Sequence, residues 1–352
     1  MTQYIVRRMF RNGVVILLIT LITFLLMHSV PGGPFDAEKA LPAEIIANLN
    51  ARYHLNEPLP KQFVAYLDDV LIPRLSSTTP GVSLQDDFLI TIKVGNQLWF
   101  KWMNFGPSYT SKSRTVNDII KQQLPISIQL GVLALIVAMA IGIPLGILAA
   151  LKQNTFWDYV GMSLAIFGVS VPVIILGPIL IWVFGVALKM LPPTGWGAKP
   201  PYLLGILPTD FGWSYWRFAL MPMIALGLGS SAILARLTRA SLLQVVREDY
   251  IRTARAKGLR ERTVIMRHAM KNSMIPVITV LGPMFAALVT GTFVTELIFG
   301  IPGMGRYFVT SITNRDYPVI MGTILLYAVI LVMANLVVDI VYGFLDPRIR
   351  YS

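Results

Sequence analysis

Cysteine is absent and charge is scarce. Without a thiol the chain forms no disulfide, no thiolate metal site and no cysteine nucleophile. Only 14% of its residues are Asp, Glu, Lys or Arg, against about 25% in soluble domains. The three histidines, His28, His54 and His268, are scattered along the sequence, which argues against a metal cluster. The patterns G-x-x-x-x-G-K-[ST], H-E-x-x-H and G-x-S-x-G do not occur. Nothing therefore signals a phosphate cradle, a zinc-protease helix or a nucleophile elbow.

Apolar residues dominate instead, at 55% of the chain, with a mean hydropathy of +0.64. Runs free of charge cover 12–35, 122–151, 160–188, 218–235, 272–295 and 317–338. Each suffices for one crossing of about 30 Å of hydrocarbon and is too short for two. Lipid offers no partner to a bare amide, so each run must be helical. The expectation is an all-α integral membrane protein with six transmembrane helices. Pro172 and Pro178 interrupt the third run as kinks that neighbouring helices can accommodate. Gly142 with Gly146, and Gly282 with Ala286, suit close helix contacts of the ordinary small-residue kind. Glu296 and Asp339 fall near span ends, at opposite sides, where interfacial partners can serve them.

Basic residues set the orientation. Arg7, Arg8 and Arg11 precede the first run, and Arg348 and Arg350 follow the last. Between the fourth and fifth, residues 236–271 hold ten Lys or Arg against three acids. With six crossings these three regions share the cytoplasmic side. Residues 31–118, with nine acids and eight Lys or Arg, then lie outside. The division expected is 1–30, cytoplasmic N-terminus and first transmembrane helix; 31–118, an extracytoplasmic module; 119–343, a five-helix core carrying a cytoplasmic loop over 237–271; and 344–352, a cytoplasmic tail. Arginines ahead of an apolar run also describe a secretory signal, but no A-x-A-like site follows Val30, so a retained anchor is expected. The formal charge of +12 does not indicate nucleic acid, because the basic residues sit between apolar runs rather than over a soluble face.

The outer segment reads as folded. Ile45, Leu49 and Tyr53 have helical spacing, as does the apolar pattern of 58–75, and "SSTTPG" at 76–81 reads as a turn. Trp99, Phe100, Trp102 and Phe105 fit either a membrane-interface belt or a docking surface.

The basic block reads "REDYIRTARAKGLRERTVIMRHAMKN" over 247–272. Val246, Tyr250 and Ala254, four apart, predict one apolar stripe on a helix that Gly258 can end. A second helical piece from about Leu259 carries Arg262, Arg267 and Lys271. Such a pair suits contact with anionic lipid, or a partner surface closing on Ala254 and Ala256. In the fifth connection, Gly300, Gly303 and Gly305 around Pro302 predict a tight turn. Glu296, Pro302 and Gly303 are therefore candidates for an outer gate.

The segments "YIRTARAKGL…RHAMKNSMIPV", "HSVPGGPFDAEKALPAEIIANLNARYHLNEPLPKQFVAYL", "NFGPSY", "GILAALKQNTFWDY", "ELIFGIPGMGRYFV", "NRDYP" and "DPRIRY" resemble the B-type permease subunit of bacterial dipeptide and oligopeptide ABC importers. The resemblance covers nearly the whole chain. It implies that 237–271 is the coupling loop, whose helix docks on an ATPase through Tyr250, Arg252, Thr253, Ala254, Arg255, Ala256, Lys257 and Gly258. Where the broad importer pattern begins Glu-Ala-Ala, this chain has Arg252, Thr253 and Ala254, and the later proline is Lys271. The implied partners are a second homologous permease, two ATPase subunits that hold the ATP and Mg, an extracytoplasmic peptide-binding protein and the lipid bilayer. No cofactor is expected in this chain and no nucleic acid among its partners. The implied activity is that of half a peptide pathway in the cytoplasmic membrane, both termini inside, rather than that of an enzyme. A stand-alone secondary transporter or channel is the alternative. That class calls for charges inside spans and inverted repeats, and the apolar runs supply neither.

Overall fold

A computed structural model describes residues 2–35, 43–78, 86–94, 98–111 and 113–345. Most of the tail expected at 344–352, the residues 36–42, and part of the turn expected at 76–81 lie outside the described residues. The chain forms two compact units, one of Met1–Pro125 with Gly303–Val329, the other of Ile126–Pro302 with Ile330–Ser352.

The first unit begins with α1 (Thr2–Ser29), apolar enough to cross a membrane over Arg7–Ser29. Two short helices follow, α2 (Ala43–Arg52) and α3 (Leu59–Leu71), the latter opened by Pro58 and Pro60 where a missing amide costs nothing. The all-helical expectation fails next. β1 (Arg74–Ser76), β2 (Ile90–Val94) and β3 (Leu98–Trp102) form an antiparallel sheet in the order β1-β3-β2. Ile92 pairs with Phe100, and Ile90 with Trp102. β-Branched and aromatic side chains favour this pleated surface, so Trp99, Phe100 and Trp102 occupy strand positions rather than a bare loop. Lys101 projects inward, 1% exposed, and its ammonium meets Asp86 at 2.7 Å. A buried lysine is tolerated only with such a partner.

Asp87 and Asp316 tie this unit together. Asp87 accepts hydrogen bonds from Thr115 and, at 2.9 Å, from Lys121. Asp316 receives the Ser108 hydroxyl at 2.5 Å and the Tyr109 amide at 3.1 Å. Asp316 sits just before α14 (Tyr317–Leu345), and Thr115 just before α4 (Val116–Leu151). Phe105, Val116, Ile120, Met304 and Val319 form the core beneath, with α13 (Met304–Thr313) supplying Met304.

In the second unit α4 continues and packs against α7 (Trp213–Val246). The contact is backbone-close. A Cβ added at Gly142 would overlap the Ser231 carbonyl oxygen, and one at Gly227 would lie 2.7 Å from the Ala134 oxygen. The third apolar run is two helices, α5 (Phe156–Ser170) and α6 (Val173–Leu180), with a π-helical extension over Ile181–Ala187. They meet at 96°. Pro172 removes an amide and clashes with a preceding carbonyl, and Val171 before it is held extended, so the expected kink is a sharp break. Among the described residues five helices are long and apolar enough to cross a membrane, or six when this bent pair counts as one.

Both helices of the bent pair pack against α7. α5 starts where Asp158 meets Arg239, near the C-terminal end of α7. α6 reaches α12 (Phe293–Ile298), where Gly177 approaches Ile298. The following segment folds back as a cap: the Gly195 amide donates to the Phe299 carbonyl at 2.8 Å, and the Trp196 indole donates to Gln129 at 3.0 Å. Trp196, Tyr215, Ala219 and Phe299 share one buried cluster there.

Candidate functional site

The basic block folds as an elbow. α8 (Asp249–Ala256) is followed by α9 (Glu261–Thr263), a π-helical stretch over Val264–Ala269, and α10 (Met270–Ser273), which leads to α11 (Ile275–Thr290). The corner is Gly258, with φ of +75°, a conformation that L side chains avoid. Its amide donates to Arg255 O at 2.9 Å, and the Leu259 amide reaches back to Ala254 O at 3.4 Å. This paired closure satisfies helix-end carbonyls that would otherwise lack donors.

The face of α8 that is buried differs from the stripe expected. Ile251 is fully buried and Ala254 nearly so, packed with Leu242, Val264, Ile265 and Ala269. Tyr250, by contrast, is 41% exposed. Burying an isoleucine contributes about 1.5–3 kcal/mol, and a turn away Ala254 is small enough to admit the neighbouring helix. Ala254 is thus a contact within the chain. Arg252, Thr253, Arg255, Ala256, Lys257 and Gly258 form the exposed ridge.

Polar bonds hold the elbow at its angle. Arg255 clasps Glu261 through Nη2 and Nε, at 2.7 and 3.1 Å. The hydrogen bond and charge of Arg255 hold the Glu261 carboxyl below the usual carboxylate range, and Glu261 raises Arg255 in turn. Asn272 donates to the Tyr250 hydroxyl at 2.8 Å, joining α8 to α10. A hollow of about 560 Å³ opens between the last turns of α7 and the start of α8, lined by Leu243, Gln244, Arg247 and Asp249.

Glu296 is completely buried in the second unit. One of its carboxylate oxygens accepts hydrogen bonds from Ser127 of α4 and Thr292, each at 2.6 Å. The expected turn follows: the Ile301 amide donates to Glu296 O at 2.8 Å, and Gly300 adopts φ of +60°. Pro302 is exposed, while Gly303 is buried at the start of α13. Ser127 and Thr292 had no signal in the sequence, since hydroxyls within apolar runs are common and usually bond their own helix. The same is true of Asp158 and Arg239, 81 residues apart. Among the described residues no three of His, Asp and Glu gather to hold a metal.

The family of this helical chain with its basic, braced elbow is shown by comparison with known proteins. The family described as "Binding-protein-dependent transport system inner membrane component" matches residues 142–351, and its N-terminal counterpart matches 1–131. The dipeptide transport system permease protein DppB of Bacillus subtilis is 41% identical over 99% of this chain and 98% of its own. The oligopeptide transport system permease protein OppB of Salmonella typhimurium is 37% identical over the full length of both. A solved chain of the MetNI methionine ABC transporter superposes with a TM-score of 0.48 at 16% identity, covering 64% of this chain and 94% of that one. The chain belongs to the binding-protein-dependent transport family, as an inner-membrane permease component of ABC importers.

Proposed function

We propose that this permease forms half of a pathway for dipeptides or oligopeptides, and that the exposed ridge Arg252–Gly258 receives the stroke of a separate ATPase. The peptide class is carried by the DppB and OppB relatives. The coupling role is carried by one observation: α8 is packed into its own chain through Ile251 and Ala254, leaving the opposite face of charged and small residues uncovered. A helix so anchored transmits displacement, because its buried side moves with Leu242 of α7 and Val264 before α10. Packed helices switch between discrete arrangements rather than deforming continuously.

In this reading two ATPase subunits bind ATP and Mg, a second permease completes the path, and an extracytoplasmic binding protein delivers peptide. The bent pair α5–α6 counts as one broken crossing in this reading; α5 starts at the Asp158–Arg239 pair late in α7, and α6 packs beside Ile298, which supports it. Six crossings then put both termini and the elbow in the cytoplasm and the sheet outside, as the Lys and Arg distribution requires. Glu296, Pro302 and Gly303 belong to the outer gate: the buried carboxylate fixes α4 against α12, immediately before a glycine-rich turn.

The test uses Ala256→Trp, which alters the ridge without touching the buried face. Uptake of radiolabelled dialanine and trialanine by cells making the complete transporter should be lost, and the ATPases should no longer co-purify, at normal membrane levels of the permease. Wild-type uptake with full ATPase retention would remove the ridge from the coupling site. Failure of the wild type to take up any peptide would remove the substrate class.

A further inference from the structure

The first unit contains a cavity of about 600 Å³ at the ends of two of its long apolar helices, within the ~300–1,000 Å³ of small-molecule sites. The end of α1, the α2–α3 corner, the 104–109 segment and the start of α14 enclose it. Its walls are rings. Tyr53 lies 4.5 Å from Tyr109, and Phe24 lies 4.2 Å from His28, which meets Tyr317 at 5.1 Å.

Two buried polar atoms at this cavity have no hydrogen-bond partner among the described residues: the Tyr66 hydroxyl and His28 Nε2. Such orphans are rare, because burial of an unpaired polar group is unfavourable. Their chemistry is complementary. His28 Nδ1 lies 2.8 Å from the Phe24 carbonyl oxygen. A carbonyl only accepts, so Nδ1 carries a hydrogen and Nε2 is the ring nitrogen that faces the cavity without a partner among the described residues. Burial pushes the Tyr66 phenol well above its ordinary pKa, so its hydroxyl keeps its hydrogen. The rim carries both signs of charge. Arg52 sits over the Tyr53 ring at 5.8 Å; Arg74 pairs with Asp69 at 2.6 Å, and Glu57 pairs with Lys61 at 3.0 Å.

We propose that this cavity is a second peptide site, taking a short zwitterionic peptide with a flat apolar side chain. Rings receive that side chain; Tyr66 and His28 Nε2 meet one amide C=O and one N–H; Arg52 meets the terminal carboxylate; and Glu57, whose present partner Lys61 is exposed, meets the ammonium. A lipid tail uses none of these polar groups. The site deepens the peptide-import reading and rests on it for the peptide class only.

The complete transporter in nanodiscs, without its binding protein, tests this with the photoreactive dipeptide alanyl-benzoylphenylalanine. Cross-links are mapped by mass spectrometry, and uptake of dialanine by wild-type proteoliposomes is followed in parallel. The label should fall within residues 24–28, 52–69, 104–109 or 317–321. Tyr66→Phe, which deletes only an unpaired hydroxyl, should label about tenfold less at limiting probe, the effect of one lost buried hydrogen bond, with an unchanged or raised thermal midpoint. Arg52→Gln at the rim gives a second variant independent of the interior. Labelling confined to 126–302, no labelling, or labelling undiminished in both variants would overturn the site. Intact uptake with any of those results refutes the cavity alone; lost uptake with the predicted labelling refutes the import reading and keeps the cavity.

Discussion

Arg239 holds Asp158 by a two-pronged ion pair, Nε to Oδ1 at 2.8 Å and Nη2 to Oδ2 at 2.7 Å. The carboxylate is 5% exposed and the guanidinium 28%. Asp158 also accepts the Asn154 amide at 3.0 Å, so the turn from α4 into α5 and the last turns of α7 are fixed by one side chain.

Breaking this pair should destabilise the helix contact rather than the chemistry of transport. Asp158→Asn leaves a largely buried guanidinium without its anion. A fully buried broken pair costs about 3–5 kcal/mol; partial exposure of Arg239 reduces that to roughly 2–3. The detergent-unfolding midpoint should fall clearly. Asp158→Leu combined with Arg239→Met should recover much of the loss, because the pair is then replaced by apolar contact. A double variant no better than the single one would mean that the pair is not what joins α5 to α7.

Glu296→Gln keeps an acceptor oxygen for Ser127 and Thr292 while removing the charge. Expression and ATPase retention should be normal. Peptide uptake should fall on the order of tenfold, the size of one charge-assisted hydrogen bond. Uptake at the wild-type rate would take Glu296 out of the gate and leave it a packing residue.

Topology can be read directly because the native chain has no cysteine. A single cysteine at Thr78, beside the β-sheet, should react with an impermeant maleimide on intact spheroplasts. One at Lys257, on the elbow, should react only after lysis. The opposite pattern would invert the orientation. Labelling of both before lysis would contradict six crossings and favour α5–α6 as a re-entrant hairpin.

The sequence is legible where one physical constraint dominates. Charge-free runs must be helices in lipid, and α1, α4, α7, α11 and α14 lie where those runs do. Gly258 is legible because a helix ending in a left-handed residue favours glycine. Where two constraints compete, the reading misses. Trp99, Phe100 and Trp102 suit a membrane interface and a strand equally, and only the pairing of Phe100 with Ile92 and of Lys101 with Asp86 separates them. Tyr250 and Ile251 are neighbouring apolar residues on α8, so spacing alone did not tell which shares a face with Ala254; Val264 and Ile265 from the next helical piece select Ile251. Pro172 signals a bend, but nothing local to it gives the 96° angle. Ser127 and Asp158 gain their roles from residues 169 and 81 positions away, beyond the reach of any periodicity.

The central claim is that the uncovered face of α8 touches an ATPase while its other face stays within the chain. A benzophenone-maleimide attached to a lone cysteine at Ala256 measures this in membranes containing the assembled transporter. Illumination should cross-link the permease to an ATPase subunit, and the yield should change between nucleotide-free and ATP-bound states. The same probe on a cysteine at Ala254 should attach poorly, because that position is 7% exposed. Cross-links from Ala256 to lipid alone, in a transporter that hydrolyses ATP and imports peptide normally, would contradict the account.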